Sequence, residues 1–292
     1  LRGVDAITMG VLRNAGIAYE TYNLSGRARP EEQAVAADLS ILGSGWLGLP
    51  LAREMAARGH AIRLSTTRAE RLEELQGPGI QPFVVDITRP GDELRGFLDS
   101  PVLIVNITSK DIAGFGALVE ALGESAVRHV LFISSTSVYP DCNAELHEDE
   151  GRENPDHPLY RIERLFQDAQ GFDTSVVRFG GLVGYTRHPG RFFASGRAVP
   201  NPEGYVNLIH RDDCINIIRR IVERSVWGEV FNACADEHPV RIDFYRFCAG
   251  LAGLPPPAAG AGERFKIISN KRLKKRLEYD FVYPDPMGFD YD

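Results

Sequence analysis

An α/β fold built on a doubly wound parallel sheet is the architecture this sequence predicts. Two observations carry it. Short apolar runs alternate with segments of helical periodicity from residue 39 to residue 177, the pattern that successive βαβ units leave. The first run leads directly into Gly43-Ser44-Gly45-Trp46-Leu47-Gly48, a turn that opens a helix. With 292 residues, 43% apolar and 25% charged, the chain has the composition of a globular protein and room for one large domain or two smaller ones.

The elements follow in order. In residues 1–34, Val4–Ala15 suits a short helix, Ile17–Leu24 a strand and Ser25–Pro30 a linker; the segment is an extension without an assigned role. Leu39–Leu42 reads as a buried strand. Leu47, Leu51 and Met55 then recur at helical spacing up to Gly59, a C-cap. Strands are expected at Ala61–Leu64, Phe83–Val85, Val102–Val105, Val130–Ile133 and Ser175–Val177. Helices are expected at Arg68–Gln76, Ile112–Ala126 and Leu159–Ala169. Residues 35–180 thus form a nucleotide-binding domain, and 181–292 mainly a smaller C-terminal substrate-binding part. In the latter, Gly184–Pro202 is loop-like, Val206–Ile209, Val230–Asn232 and Phe265–Ile268 suit strands, and Arg211–Arg224, Ile242–Leu251 and Lys271–Leu277 suit helices.

Charge and composition exclude several classes. Against 33 basic residues stand 40 acidic ones, a net charge of −7, which disfavours a general nucleic-acid binder. No apolar run approaches the ~20 residues of a membrane span, and the first residues show no signal-peptide pattern. Cys142, Cys214, Cys234 and Cys248 lie far apart, which fits a reducing cytoplasm, and the histidines follow no metal-ligand spacing. Only five basic residues are lysines, Lys110, Lys266, Lys271, Lys274 and Lys275. Chemistry that needs a lysine in mid-chain therefore has almost no candidate.

The glycine loop points to a dinucleotide. After a strand and before a helix, Gly43, Gly45 and Gly48 let the backbone approach a pyrophosphate, which the helix N-terminus attracts, with Ser44, Trp46 and Leu47 beside it. This makes the sheet Rossmann-type. A carboxylate at the end of the second strand would bind the ribose hydroxyls of NAD(H); here Thr66, Thr67 and Arg68 stand there instead. Hydroxyls and a guanidinium suit a 2′-phosphate, so NADP(H) is favoured over NAD(H). Asp86, with Ile87 beside it, ends the third strand, where it would accept from the adenine amino group or cap the next turn.

Three further segments carry a family resemblance. Ser134-Ser135-Thr136-Ser137-Val138-Tyr139, Arg178–Gly184 and Asn207-Leu208-Ile209-His210-Arg211-Asp212-Asp213, together with the glycine loop, resemble the extended short-chain dehydrogenases/reductases, the NAD-dependent epimerase/dehydratase group, over about residues 38–235. The segment 187–193 and the short GSGWLG loop resemble an atypical, YeeZ-like subgroup more narrowly. The resemblance implies hydride transfer to or from a carbonyl or secondary alcohol. It assigns Ser135 to hydrogen-bond the reacting oxygen, Tyr160 to handle its proton, Thr136 to the substrate and a lysine four residues after Tyr160 to supply charge. Arg164 occupies that last position, always charged and unable to shuttle a proton. It also implies a substrate site around the loop after the sixth strand, where Arg187, Arg191, Arg197 and His210 suit an anionic small molecule. Homodimerisation through the helices at 112–126 and 159–169 is a further family expectation. Two readings compete: an NADP(H)-binding sensor or scaffold without catalysis, favoured by the missing lysine, and a β-hydroxyacid dehydrogenase, disfavoured by the absence of lysine between Lys110 and Lys266.

Overall fold

Side chains of the first strand, β1 (Leu39–Leu42), alternate between two cores: Leu39 and Ile41 pack on one face of the sheet and Leu42 on the other. Burial on both faces is why the run is continuously apolar rather than alternating. The structure, a computed structural model, describes residues 38–289 and 291. The extension, with its expected helix, strand and linker, lies outside the described residues.

Seven strands form the main sheet, and every neighbouring pair is parallel. Besides β1 these are β2 (Ile62–Thr66), β3 (Ile80–Val84), β4 (Val102–Val105), β5 (His129–Ser135), β7 (Asp173–Phe179) and β10 (Val230–Ala233), in the order β10-β7-β5-β4-β1-β2-β3. The order reverses between β1 and β4, so a crevice opens beyond their C-terminal ends. The third strand starts earlier than the expected Phe83 and contains Pro82. Proline is tolerated there because β3 is an edge strand, with one side free of ladder bonds.

Helices cover both faces. On one lie α1 (Gly48–Ala57), α2 (Leu72–Leu75), α6 (Arg211–Glu223) and α8 (Lys271–Leu277); on the other lie α3 (Glu93–Phe97), α4 (Ile112–Leu122) and α5 (Pro158–Asp168). Helix α1 ends at Ala57, and two residues on Gly59, with φ of +94°, is the left-handed stop that its sequence position suggests. Between α4 and α5, the rings of Phe115 and Phe166 meet edge-on at 6.0 Å.

The later part of the chain is woven into the same body. Strand β10 extends the main sheet beside β7. Two short parallel pairs, β6 (Ala144–Leu146) with β11 (Lys266–Ile268) and β8 (Gly181–Val183) with β9 (Leu208–His210), lie beyond it, together with α7 (Arg241–Leu251). An all-helical second domain, as the β-hydroxyacid dehydrogenase reading requires, is absent among the described residues. The strands β6 and β8 and the helix α3 are three to five residues each, too short to leave a periodicity in the sequence.

Candidate functional site

Each glycine of the loop has a different steric reason. Gly43 has φ of +107°, and a Cβ on it would stand 2.5 Å from the Asn106 carbonyl oxygen. On Gly48 a Cβ would come within 1.8 Å of the Gly43 oxygen, so this position sets how closely α1 approaches the turn. Around Gly45 a Cβ would meet nothing within 4 Å: the absent side chain leaves open space in front of the N-terminus of α1. The turn is held from below by Ser65 of β2, whose Oγ accepts from the Gly43 N–H at 2.8 Å.

That open space belongs to a cleft of about 500 Å³ at the β1/β4 switch point. The cleft gathers all eleven residues that the sequence assigns to a cofactor: Gly43, Ser44, Gly45, Trp46, Leu47, Thr66, Thr67, Arg68, Asp86 and Ile87 line it, and Gly48 packs directly beneath. Asp86 is partly committed, since its Oδ1 accepts from the Thr88 N–H at 2.9 Å and hydroxyl at 2.8 Å, bonds that hold its carboxyl below the usual range. Sequence reasoning misses Arg71 and Asn106. Arg71 donates to Ser44 Oγ at 3.2 Å, and its hydrogen bond to Glu74 raises its pKa. Its spacing of three from Arg68 is a signal, since residues three apart share one side of a helical turn. Asn106 follows β4, and only the strand order brings it under the loop.

One wall of the cleft is aromatic and cationic. The guanidinium carbon of Arg187 stands 4.3 Å over the Trp46 ring, and that of Arg211 5.1 Å over the same ring and 3.6 Å over Tyr185. Of the residues assigned to substrate, Arg187 is therefore at the cofactor cleft. Arg191, itself exposed, closes a 3₁₀ turn whose Pro189 and Gly190 are buried, and Arg197 lies over Phe193 at 5.1 Å. His210 is 3% exposed: its Nδ1 accepts from the Asp212 N–H to cap α6, and its ring lies 3.9 Å from that of Tyr283. This ring is committed to capping and packing. Thr136 is buried in the turn after β5.

The residues assigned to catalysis lie off this cleft. Ser135 ends β5, and its Oγ accepts from the Ser137 N–H at 3.1 Å, a bond that leaves the hydroxyl proton unused. Tyr160 sits in the first turn of α5, half-buried against the cluster of Val138 and Tyr139. Arg164 does not supply a buried charge to it. At about 100° per residue, the face of α5 that meets the sheet carries Ile162, Glu163 and Phe166, which turns Arg164 outward to pair with Asp168.

The cation beside Tyr160 is Arg178, 2% exposed, with its guanidinium 5.8 Å from the Tyr160 ring centre. Burial opposes its charge, but Glu163 at 2.6 Å holds its pKa above the ordinary value, and Glu153 pairs with it as well. Arg178 also donates at 2.5 Å to the Tyr139 hydroxyl, which in turn donates to Asn232 at 3.1 Å. Burial pushes the Tyr139 pKa up to about 12. Tyr139 is thus a structural member of this network.

Among the described residues no helix is long and apolar enough to cross a membrane, and no group of three or more His, Cys, Asp and Glu is placed to hold a metal. No family model matches the chain. Protein YeeZ of Escherichia coli K12 is 34% identical over 271 residues, covering 85% of this chain and 97% of YeeZ. A solved structure from Methylobacillus flagellatus, named for the NAD-dependent epimerase/dehydratases, is 27% identical with a TM-score of 0.70 and covers 86% of this chain and 95% of that one. MoeE5 in complex with UDP-glucose and NAD shares the fold at a TM-score of 0.70 and 18% identity, over 86% of this chain and 96% of that one.

Proposed function

The chain belongs to the YeeZ-like, atypical extended branch of the short-chain dehydrogenases/reductases, the NAD-dependent epimerase/dehydratase superfamily, and from that premise we propose that it is an NADP(H)-dependent oxidoreductase acting on an anionic small molecule. The observation that carries the reading is the three-glycine cradle opening onto Arg68 and Arg71. The donor set fits the group: Gly48 admits no side chain, Gly45 leaves room for a pyrophosphate, and the end of β2 offers hydroxyls and guanidinium groups. Arg68 and Arg71 favour the phosphorylated cofactor because a guanidinium binds phosphate through two parallel hydrogen bonds.

Bound there, the nicotinamide supplies or accepts a hydride at a carbonyl or secondary alcohol carbon; epimerisation and dehydration begin with the same step. Ser135 donates its unused hydroxyl proton to the reacting oxygen. The Tyr160 hydroxyl exchanges the proton of that oxygen. Arg191 and Arg197, exposed on the loop after β8, attract the substrate's anionic group. The protein acts in the cytoplasm, where its free, scattered cysteines stay reduced, and α4 and α5 form the surface for a homodimer.

Calorimetric titration with NADPH, NADH and their oxidised forms tests the cofactor half. Tighter binding of the phosphorylated pair supports the reading, and no binding at sub-millimolar concentration overturns it. A second reading, a cofactor-binding sensor without turnover, is favoured by one observation. The only buried cation beside Tyr160 among the described residues faces two carboxylates, Glu153 and Glu163, so no net positive charge accompanies it. A substrate screen with Tyr160→Phe as control separates the two. Turnover that Tyr160→Phe abolishes, with cofactor binding kept, assigns the enzyme; a bound cofactor with no turnover in either protein assigns the sensor.

A further inference from the structure

Arg187 lies in the sequence with the substrate-binding part, yet its side chain reaches back to the glycine loop. It lines the cleft together with Gly43, Gly45 and Trp46. No hydrogen bond or ion pair to its guanidinium is formed among the described residues; its one partner is the Trp46 ring at 4.3 Å. Arg211 approaches the same ring and likewise meets no carboxylate, and its Nε is buried without a hydrogen-bond partner. Two guanidinium groups on one indole repel each other, and partial burial pulls the Arg187 pKa below its ordinary value. The cluster therefore holds positive charge that the protein itself leaves uncompensated.

The backbone under Arg187 is built for placement. Gly184 and Arg187 exchange backbone hydrogen bonds of 3.3 and 3.1 Å across a tight turn. Within it Gly184 has φ of +108° and Tyr185 has φ of +54°. A left-handed tyrosine is strained, and such strain persists where the surroundings enforce it. The Tyr185 ring lies under Arg211, and its hydroxyl bonds Asp212 at 3.0 Å, which fixes the turn to α6. Stacking leaves the N–H edge of a guanidinium pointing outward from the ring. Arg187 shares its cleft with Gly45, around which a Cβ would meet no atom within 4 Å.

We infer that Arg187 is a ligand of the cofactor's pyrophosphate: it closes over the glycine loop from the substrate-binding part, with Trp46 as its platform. The inference rests on the dinucleotide reading given above. Its consequence is that the dinucleotide ties the loop carrying Arg187, Arg191 and Arg197 to the nucleotide-binding domain before substrate arrives. Arg187 is then a cofactor-binding residue that couples the two ligands, whereas Arg68 and Arg71 read the 2′-phosphate.

The test is calorimetry on the full chain with ADP, NADPH and adenosine 2′-monophosphate, in wild type, Arg187→Ala and Arg187→Lys. ADP carries the pyrophosphate without the 2′-phosphate, and the monophosphate the reverse. Arg187→Ala should weaken ADP and NADPH by about ten- to a hundredfold, the size expected of a charge-assisted contact, and leave the monophosphate unchanged. Arg187→Lys should recover part of the loss. Tryptophan emission gives an independent readout, with Trp46→Phe to assign it, because Trp227 stacks on His129 at the opposite end of the strands. ADP should change the Trp46 signal in wild type and not in Arg187→Ala. Unaltered ADP affinity in Arg187→Ala, or an equal loss for all three ligands, overturns the inference while the dinucleotide reading stands. Failure of wild type to bind any of the three overturns both.

Discussion

A buried guanidinium must meet its charge partners inside the protein, and Arg178 meets them on three elements at once. Glu163 of α5, Glu153 of the loop before it and Tyr139 converge on one side chain. Arg178→Met should cost about 3–5 kcal/mol in urea unfolding, because it strands two carboxylates in the interior. Glu148 has the opposite character. It is 8% exposed and accepts from the Asn232 N–H at 2.7 Å, and burial raises its pKa above the ordinary 4.5. Above that value the native state holds more protons than the unfolded chain, so this group's contribution to stability falls as pH rises through the folded pKa. Glu148→Gln keeps the accepting oxygen and removes the charge. Its stability relative to wild type should therefore improve as pH rises above the ordinary carboxylate value of 4.5, and a gap that does not change with pH would contradict this assignment.

Among the elements, the β1–α1 turn separates folding from binding most cleanly. Gly48→Ala forces a methyl against the Gly43 carbonyl and should destabilise the fold by about 1–3 kcal/mol. Gly45→Ala meets no protein atom, so its melting temperature should match wild type, while dinucleotide affinity should fall roughly tenfold or more because the methyl occupies the pyrophosphate's approach. Equal affinity in Gly45→Ala and wild type would show that nothing approaches this backbone. The turn was legible because strand, loop and helix are contiguous and each leaves a local signal. Helix α5 was legible as a helix but not in its rotation. The spacing of Tyr160 and Arg164 suits one helical side, yet Ile162 and Phe166 set which side meets the core, and Glu163 is carried inward with them.

At the scale of the whole molecule, Asp213 joins residues 279–283 to helix α6. The position reads as an acid complementing the N-terminus of α6, which it is. It is also fully buried, and it accepts from the Tyr279 hydroxyl, the Val282 N–H at 2.8 Å and the Tyr283 N–H at 3.0 Å. Asp213→Ala leaves these donors without their acceptor and should cost about 2–4 kcal/mol. Amide exchange at Val282 and Tyr283 should accelerate before that of the central strands, since both N–H groups donate to this carboxylate.

Local chemistry in the sequence was enough for the seven strands of the main sheet, the helices other than α3, the glycine loop and the residues at the ends of β2 and β3. Each of these depends on neighbours a few positions away, and hydrophobic period and turn chemistry register at that range. Tertiary structure alone decided which polar groups meet. Arg178 finds Glu163 across 15 residues, Tyr139 finds Asn232 across 93, and Asp213 finds the Tyr283 backbone across 70. Such pairings depend on strand order, helix rotation and the path of the returning chain. They also decide that Arg187 faces the glycine loop and Arg164 faces solvent: a side chain's charge is written in the sequence, but the dielectric and the partners around it exist only once the chain has packed.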